Sequence, residues 1–201
     1  MIKTRWGYDI DADRVEDVLS IDDFNTITAD KFKGDIRLAK AVKSASEAVR
    51  NFCGWHVCPS MPCIFESRLV DKRFALNGRD LMIQLPARQI EEVSVVKLND
   101  VEYTDFCIEA SGMIRVFDVN SFNRKDKIHV EYVAGTSDDL VKEIASSMMI
   151  HELNNSYGVQ SETTGSVSIS YNASWVNGGG AGHLTSTMKE DLTPYTCKGV
   201  F

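Results

Sequence analysis

The sequence has no run of eighteen apolar residues, and its first six residues carry charge with no apolar core behind them. The first absence argues against a transmembrane helix, and the second leads us to expect no signal peptide. The five cysteines are an odd number without a repeating framework, which fits a reducing compartment better than a disulfide-stapled secreted domain. We therefore expect a soluble, intracellular product.

Positive charge is also scarce, because 22 Lys and Arg stand against 29 Asp and Glu, a net charge of −7. Tight binding of nucleic acid depends mainly on neutralisation of its phosphates by Lys and Arg, so the net negative charge argues against such binding. The net negative charge remains compatible with a protein surface past which DNA moves without tight binding.

Three cysteines and one histidine lie close together in the stretch VRNFCGWHVCPSMPC, residues 49–63. A structural zinc site needs a second close pair of ligands, and the other cysteines and histidines are scattered. A redox site needs C-x-x-C, which is missing. A hydrolase that uses Cys53 or Cys58 with His56 or His129 stays open as an alternative.

A structural interpretation explains more of this stretch. Apolar residues recur at helical spacing from Leu38 to Phe52, and Gly54 ends that pattern. With Gly54 in a left-handed conformation, Trp55 would pack back on Val49 or Arg50. Gly54 and Trp55 are therefore predicted to form a structural helix cap.

Other motifs are incomplete in ways that matter chemically. The pair His151-Glu152 lacks the second histidine of a zinc-protease helix, because position 155 is Asn. The acidic start at Asp9 lacks the later Gly and Glu of a calcium-binding loop. The glycine-rich stretch 177–182 lacks the Lys-Ser or Lys-Thr of a phosphate-binding loop and is typical of a linker. We predict no catalytic, cofactor-binding or metal-binding residues, and no cofactor.

Periodicity predicts two long helices around a sheet. A short helix over 20–28, capped by Ser20, precedes the helix that ends at Gly54. A second long helix follows Thr136 or Ser137, with one apolar face formed by Leu140, Ile144, Met148 and His151. Period-two segments between the helices predict strands over 64–70, 81–85, 93–98, 113–117 and 128–133. Turns between strands are predicted at Asn77-Gly78, Asn99-Asp100, Ser111-Gly112 and Ala134-Gly135.

These elements predict an α+β fold, in which two or three packed helices bracket an inserted small antiparallel β-sheet, with an extended C-terminal arm. The expected boundaries are an N-terminal arm (1–20), a helical part (21–62), the sheet insertion (63–135), the second long helix (136–157) and a flexible C-terminal arm (158–201).

The arm contains an alternating stretch, SVSISY, that predicts a strand with one apolar face. We expect no hairpin partner nearby, so this strand either pairs with the sheet edge of another chain or folds back on its own sheet. Both alternatives stay open. Residues 184–190 favour one or two helical turns, and 192–195 an extended terminus.

In order and spacing, the chain from Ser20 onward resembles the head-to-tail adaptor proteins, also called head-completion or connector proteins, of long-tailed double-stranded DNA bacteriophages. The resemblance is carried by SEAVRNFCGWHVCPS, IQLPARQIEEVSVVKLNDVEY, IHVEYVAGTSDDLVKEIASSMMIHE, SVSIS and LTPYT.

The resemblance implies a structural virion protein rather than an enzyme, made in the bacterial cytoplasm and located at the neck of the particle. Members form a ring, commonly of twelve subunits, that docks beneath the portal, extends the DNA channel without specific DNA binding and receives the stopper or tail. The portal-binding or subunit-binding residues it implies are Val167, Ile169, Tyr171, Leu192, Pro194 and Tyr195. A stopper or a tail-completion protein is the alternative role.

Overall fold

A computed structural model describes residues 2–10, 15–68, 73–119, 125–154, 161–164, 167–170 and 184–197. In these residues the helices are α1 (Ile21–Ile27), α2 (Leu38–Cys53), α3 (Asp139–Asn154) and α4 (Ser186–Leu192). The strands are β1 (Ile2–Lys3), β2 (Asp9–Ile10), β3 (Met61–Arg68), β4 (Phe74–Asn77), β5 (Asp80–Gln84), β6 (Ile90–Leu98), β7 (Val101–Glu102), β8 (Phe106–Glu109), β9 (Met113–Val116), β10 (Lys127–Ala134), β11 (Ser161–Thr164) and β12 (Val167–Ser170). The predicted α+β class is confirmed.

The helix ends follow the capping chemistry in the sequence. The Ser20 hydroxyl accepts a hydrogen bond from the Asp23 N–H at 3.0 Å, so Ser20 caps α1 as predicted. Gly54 directly follows the last residue of α2 and has φ +80°, the left-handed conformation predicted for it. Local residue types therefore predicted both the start of α1 and the end of α2.

The buried face of α3 differs from the prediction. Leu140 is 37% exposed and His151 is half-buried, whereas Ile144 and Met148 are buried as expected. The buried face is turned toward neighbouring positions and also includes Val141, Ala145, Ser146, Met149, Glu152 and Leu153. The prediction was wrong for Leu140 and His151. It took Leu140 as buried because that residue is apolar, and it extended the apolar face to His151, which is polar.

Two antiparallel sheets replace the single small sheet that was predicted. The larger has the strand order β1-β2-β3-β10-β6-β7, and the smaller has the order β4-β5-β9-β8. All five predicted strands are present, and the missed strands are shorter or lie at sheet edges. The predicted turn Asn99-Asp100 joins β6 to β7, and both residues have positive φ (48° and 67°), as a tight hairpin turn requires.

The larger sheet has one buried and one polar face because its strands alternate. In β10, Ile128, Val130, Tyr132 and Ala134 are buried, while Lys127 is exposed. The Phe65 ring on β3 lies 6.3 Å from the Phe74 ring on β4, which joins the buried face to the smaller sheet. The core of these sheets is therefore shared.

The chain forms two compact units. The β unit comprises residues 1–16, 53–137 and 194–201 and contains both sheets; the helical unit comprises residues 17–52 and 138–193. The N-terminal stretch predicted to be an arm includes β1 and β2, which extend the larger sheet and bury Tyr8 and Ile10. Across the described residues, no helix is both long and apolar enough to cross a membrane.

Candidate functional site

The C-terminal segment is not the extended terminus that its sequence predicted. The Thr185 hydroxyl caps α4 by accepting a hydrogen bond from the Met188 N–H at 3.2 Å, and a 3-10 turn follows over Thr193–Tyr195. Leu192 is fully buried and Tyr195 is 6% exposed, whereas Pro194 is exposed. Leu192 and Tyr195 could contact a partner only by leaving these positions, so their assignment as partner-binding residues stays a prediction.

Residues 195–197, which we call the C-terminal anchor, are tied to the β unit by three hydrogen bonds. The Trp55 indole N–H donates to the Tyr195 carbonyl at 2.6 Å. The Cys197 N–H donates to the Cys53 carbonyl at 2.8 Å, and the Arg88 guanidinium donates to the Thr196 carbonyl at 3.1 Å. Each of the three anchor residues thus contributes one backbone group to these hydrogen bonds.

Trp55 has a larger role than the helix cap that was predicted for it. Its side chain is fully buried, and its indole N–H meets the anchor 140 residues further along the chain. Tryptophan buries a large apolar surface and needs a partner for its N–H, and both needs are satisfied here. Sequence reasoning missed this contact because no local pattern links residue 55 to residue 195.

The cysteine-rich stretch lies in the same core. The His56 ring is fully buried, and its Nε2 lies 2.8 Å from the Ala134 carbonyl, which can only accept a hydrogen bond. Nε2 therefore donates to this carbonyl, and Nδ1 lies 2.7 Å from the Tyr8 hydroxyl, within hydrogen-bond distance. The histidine links the N-terminal strands to the end of β10.

The thiols of this region are buried. Cys53 and Cys58 are 0% and 5% exposed, and burial raises the pKa of the Cys63 thiol to about 12. Burial also raises the pKa of the Cys197 thiol to about 12. A nucleophilic cysteine requires access to substrate, and Cys53 and Cys58 are buried, so the geometry gives the hydrolase alternative no support.

His129, the other histidine of that alternative, lies on the polar face of the larger sheet. Its Nδ1 donates to Glu66 at 2.9 Å and its Nε2 to Glu131 at 3.0 Å. Partial burial opposes the positive charge, but hydrogen bonds with Glu131 and then Glu66 outweigh it and raise the pKa of His129. These contacts make His129 part of a charged surface.

The alternating stretch of the C-terminal arm has a partner within its own chain. β11 and β12 form an antiparallel hairpin, in which Thr164 lies opposite Val167 and Glu162 lies opposite Ile169. The expectation that this strand lacks a nearby hairpin partner was wrong, because SETT has too little apolar alternation to predict a strand. Tyr171 and the glycine-rich stretch 177–182 lie outside the described residues.

The hairpin forms a sheet of its own. Within the described residues, neither β11 nor β12 pairs with a strand of the six-stranded or four-stranded sheet. Val167 and Ile169 thus belong to an isolated two-stranded element, between one segment that follows α3 and another that precedes α4.

No protein-family model matches the chain, and a search of curated proteins finds no match either.

Proposed function

We propose that the chain is a structural virion protein, a head-to-tail adaptor that assembles as a ring beneath the portal and receives the stopper or tail. The observation that carries the proposal is the separate hairpin formed by β11 and β12. The order of elements along the chain, with α2 before β3 and α3 after β10, agrees with the resemblance in sequence. The role is assembly, without catalysis.

A hairpin that pairs with no further strand has low stability. Two strands alone are marginally stable in water, and stability requires a third strand or packing against another element. Among the described strands, none pairs with the outer edge of β11 or β12, and an open strand edge is a template for another chain. The portal or a neighbouring subunit would supply that strand.

The hairpin belongs to a segment that is held at both ends. It lies within the helical unit, after α3 and before Leu184, which is 6% exposed. The chain then continues through α4 to the C-terminal anchor. A segment held at both ends loses less conformational entropy on binding than a free tail, which favours docking.

The acidic balance of the chain is compatible with a DNA channel. A net charge of −7 opposes tight retention of a phosphate backbone. A ring that extends the channel would therefore let DNA pass without specific binding, and the chain would occupy the neck of the particle.

The proposal is tested by mixing the purified chain with the portal protein of the same phage, separating complexes by sedimentation and imaging the heavy fraction. One variant replaces residues 161–170 with a Gly-Ser sequence of equal length. Its matched control replaces only residues 174–182 with Gly and Ser, which leaves both strands intact. We expect the wild type and the control, but not the hairpin variant, to sediment as a ring coaxial with the portal.

Binding of the hairpin variant as well as the wild type would remove the hairpin from the interface. If the intact chain binds no portal but joins a tail or an adaptor ring, the stopper or tail-completion role takes its place.

A further inference from the structure

A groove on the polar face of the larger sheet gathers positive charge on an otherwise acidic chain. It has a volume of about 460 Å³, and its walls include the cations Lys3, Arg68, Lys97 and Lys127 and the carboxylates Glu66 and Asp100. All of these residues belong to the β unit. The groove is open, so an extended ligand has access to it.

The strand register places like charges directly opposite each other. Lys127 of β10 faces Arg68 of β3, and His129 of β10 faces Lys97 of β6. Like charges in directly opposed positions destabilise a sheet. Glu66 and Glu131 hydrogen-bond to His129, whereas none of the acidic side chains that the structure describes pairs with Lys127 or Arg68.

The four cations of the groove extend over too wide a span for one small anion, although the register places Asp9 opposite Lys3 and Glu102 opposite Lys97. Lys3 lies on β1, Arg68 on β3, Lys127 on β10 and Lys97 on β6, and the strand order is β1-β2-β3-β10-β6. Neighbouring strands lie about 4.8 Å apart, so β1 and β6 are separated by roughly 19 Å. Only a polymeric anion presents charges over that distance.

The chemistry of the walls favours phosphate over an acidic peptide. Ile128 is the apolar residue of the lining, and it is 1% exposed, so the groove offers no apolar surface to peptide side chains. Lysine and arginine bind phosphates through charge-assisted hydrogen bonds. Double-stranded DNA presents about one phosphate per 1.7 Å of its axis, a high density of charge along a straight line.

We propose that this groove is a contact site for the phosphate backbone of double-stranded DNA, bound without readout of the bases. The four cations neutralise phosphates, and binding relieves the repulsion between Lys127 and Arg68. The site rests on the groove alone and stands whether or not the chain is an adaptor. In an adaptor it would give the DNA a weak, salt-sensitive contact with the β unit.

The test measures binding of a fluorescent duplex of about 20 base pairs by anisotropy, between about 50 and 200 mM salt. Four phosphate contacts predict that log K falls against log salt with a slope of about −3.6. Lys127→Gln and Lys97→Gln should each make the slope shallower by about one. The matched control is Lys43→Gln, an exposed lysine of α2 in the helical unit, which changes the net charge equally.

Thermal unfolding provides a second readout that does not require DNA. At low salt, Lys127→Gln should not lower the melting temperature, because it removes the charge opposite Arg68. Duplex DNA should raise the melting temperature of the wild type more than that of Lys127→Gln.

Three results would overturn the site. If Lys127→Gln and Lys43→Gln lower the affinity for the duplex equally, binding depends on net charge alone. If inorganic phosphate displaces the duplex more than chloride does at the same ionic strength, the groove holds a single phosphate. Equal competition by polyglutamate would mean that it takes any polyanion.

Discussion

The C-terminal anchor and the hairpin belong to the stretch that the sequence presents as one flexible arm, yet the structure treats them differently. Tyr195 and Cys197 are buried, and three hydrogen bonds tie the anchor to the β unit. The hairpin, in contrast, pairs only within itself among the described strands. The comparison separates a part that stabilises the fold from a part that we propose for assembly.

Hydrogen exchange should show this difference most strongly. The Cys197 amide donates to the Cys53 carbonyl in a buried region and exchanges only when much of the β unit opens, so we expect its rate to fall by about a thousandfold or more. The amides of β11 and β12 should be slowed by about tenfold or less in the isolated protein, because a lone hairpin opens readily. Equal protection of the two regions, measured by mass spectrometry, would remove the distinction.

Replacing Trp55 should produce the largest change in stability. Trp55→Ala removes a fully buried ring and the hydrogen bond to Tyr195, and it should lower the free energy of unfolding by about 4 kcal/mol. Trp55→Phe keeps most of the volume and should cost about 1 to 2 kcal/mol through the unsatisfied Tyr195 carbonyl. Urea unfolding measures both, and a cost below about 1 kcal/mol for Trp55→Ala would show that the anchor does not depend on this ring.

Removing the Arg88 contact should have a smaller effect. Arg88→Met deletes the hydrogen bond to the Thr196 carbonyl but keeps an apolar stem, so we expect a loss of about 1 kcal/mol. Arg79→Met is the matched control, because Arg79 is exposed, and its expected change is below about 0.5 kcal/mol. The same urea measurement distinguishes them, and equal changes would mean that Arg88 contributes nothing to the anchor.

The sequence predicted the elements that local chemistry specifies. Ser20 caps α1 through its own hydroxyl, Gly54 ends α2 with positive φ, and Asn99-Asp100 turns the chain between β6 and β7. In each case a residue type fixes the backbone within a few positions, so no distant contact is needed.

Distant contacts decided what the sequence could not predict. Trp55 contacts Tyr195, and Tyr8 contacts His56, and both pairs form only once the β unit has folded. The groove has the same origin, because strand register alone places Lys127 beside Arg68 and His129 beside Lys97. A single sequence contains no signal for register between strands so far apart.

The smallest expected change comes from replacing the hairpin. Gly-Ser residues at 161–170 leave both ends of the segment attached at α3 and Leu184, and among the described strands they break no pairing with the two larger sheets. The free energy of unfolding should therefore change by less than about 0.5 kcal/mol, since loop composition at constant length has little effect on closure entropy. Urea unfolding of this variant and of Trp55→Ala measures both changes in the free energy of unfolding and compares them directly. A loss of about 2 kcal/mol or more would mean that the hairpin stabilises the monomer, and its proposed role in assembly would lose its physical basis.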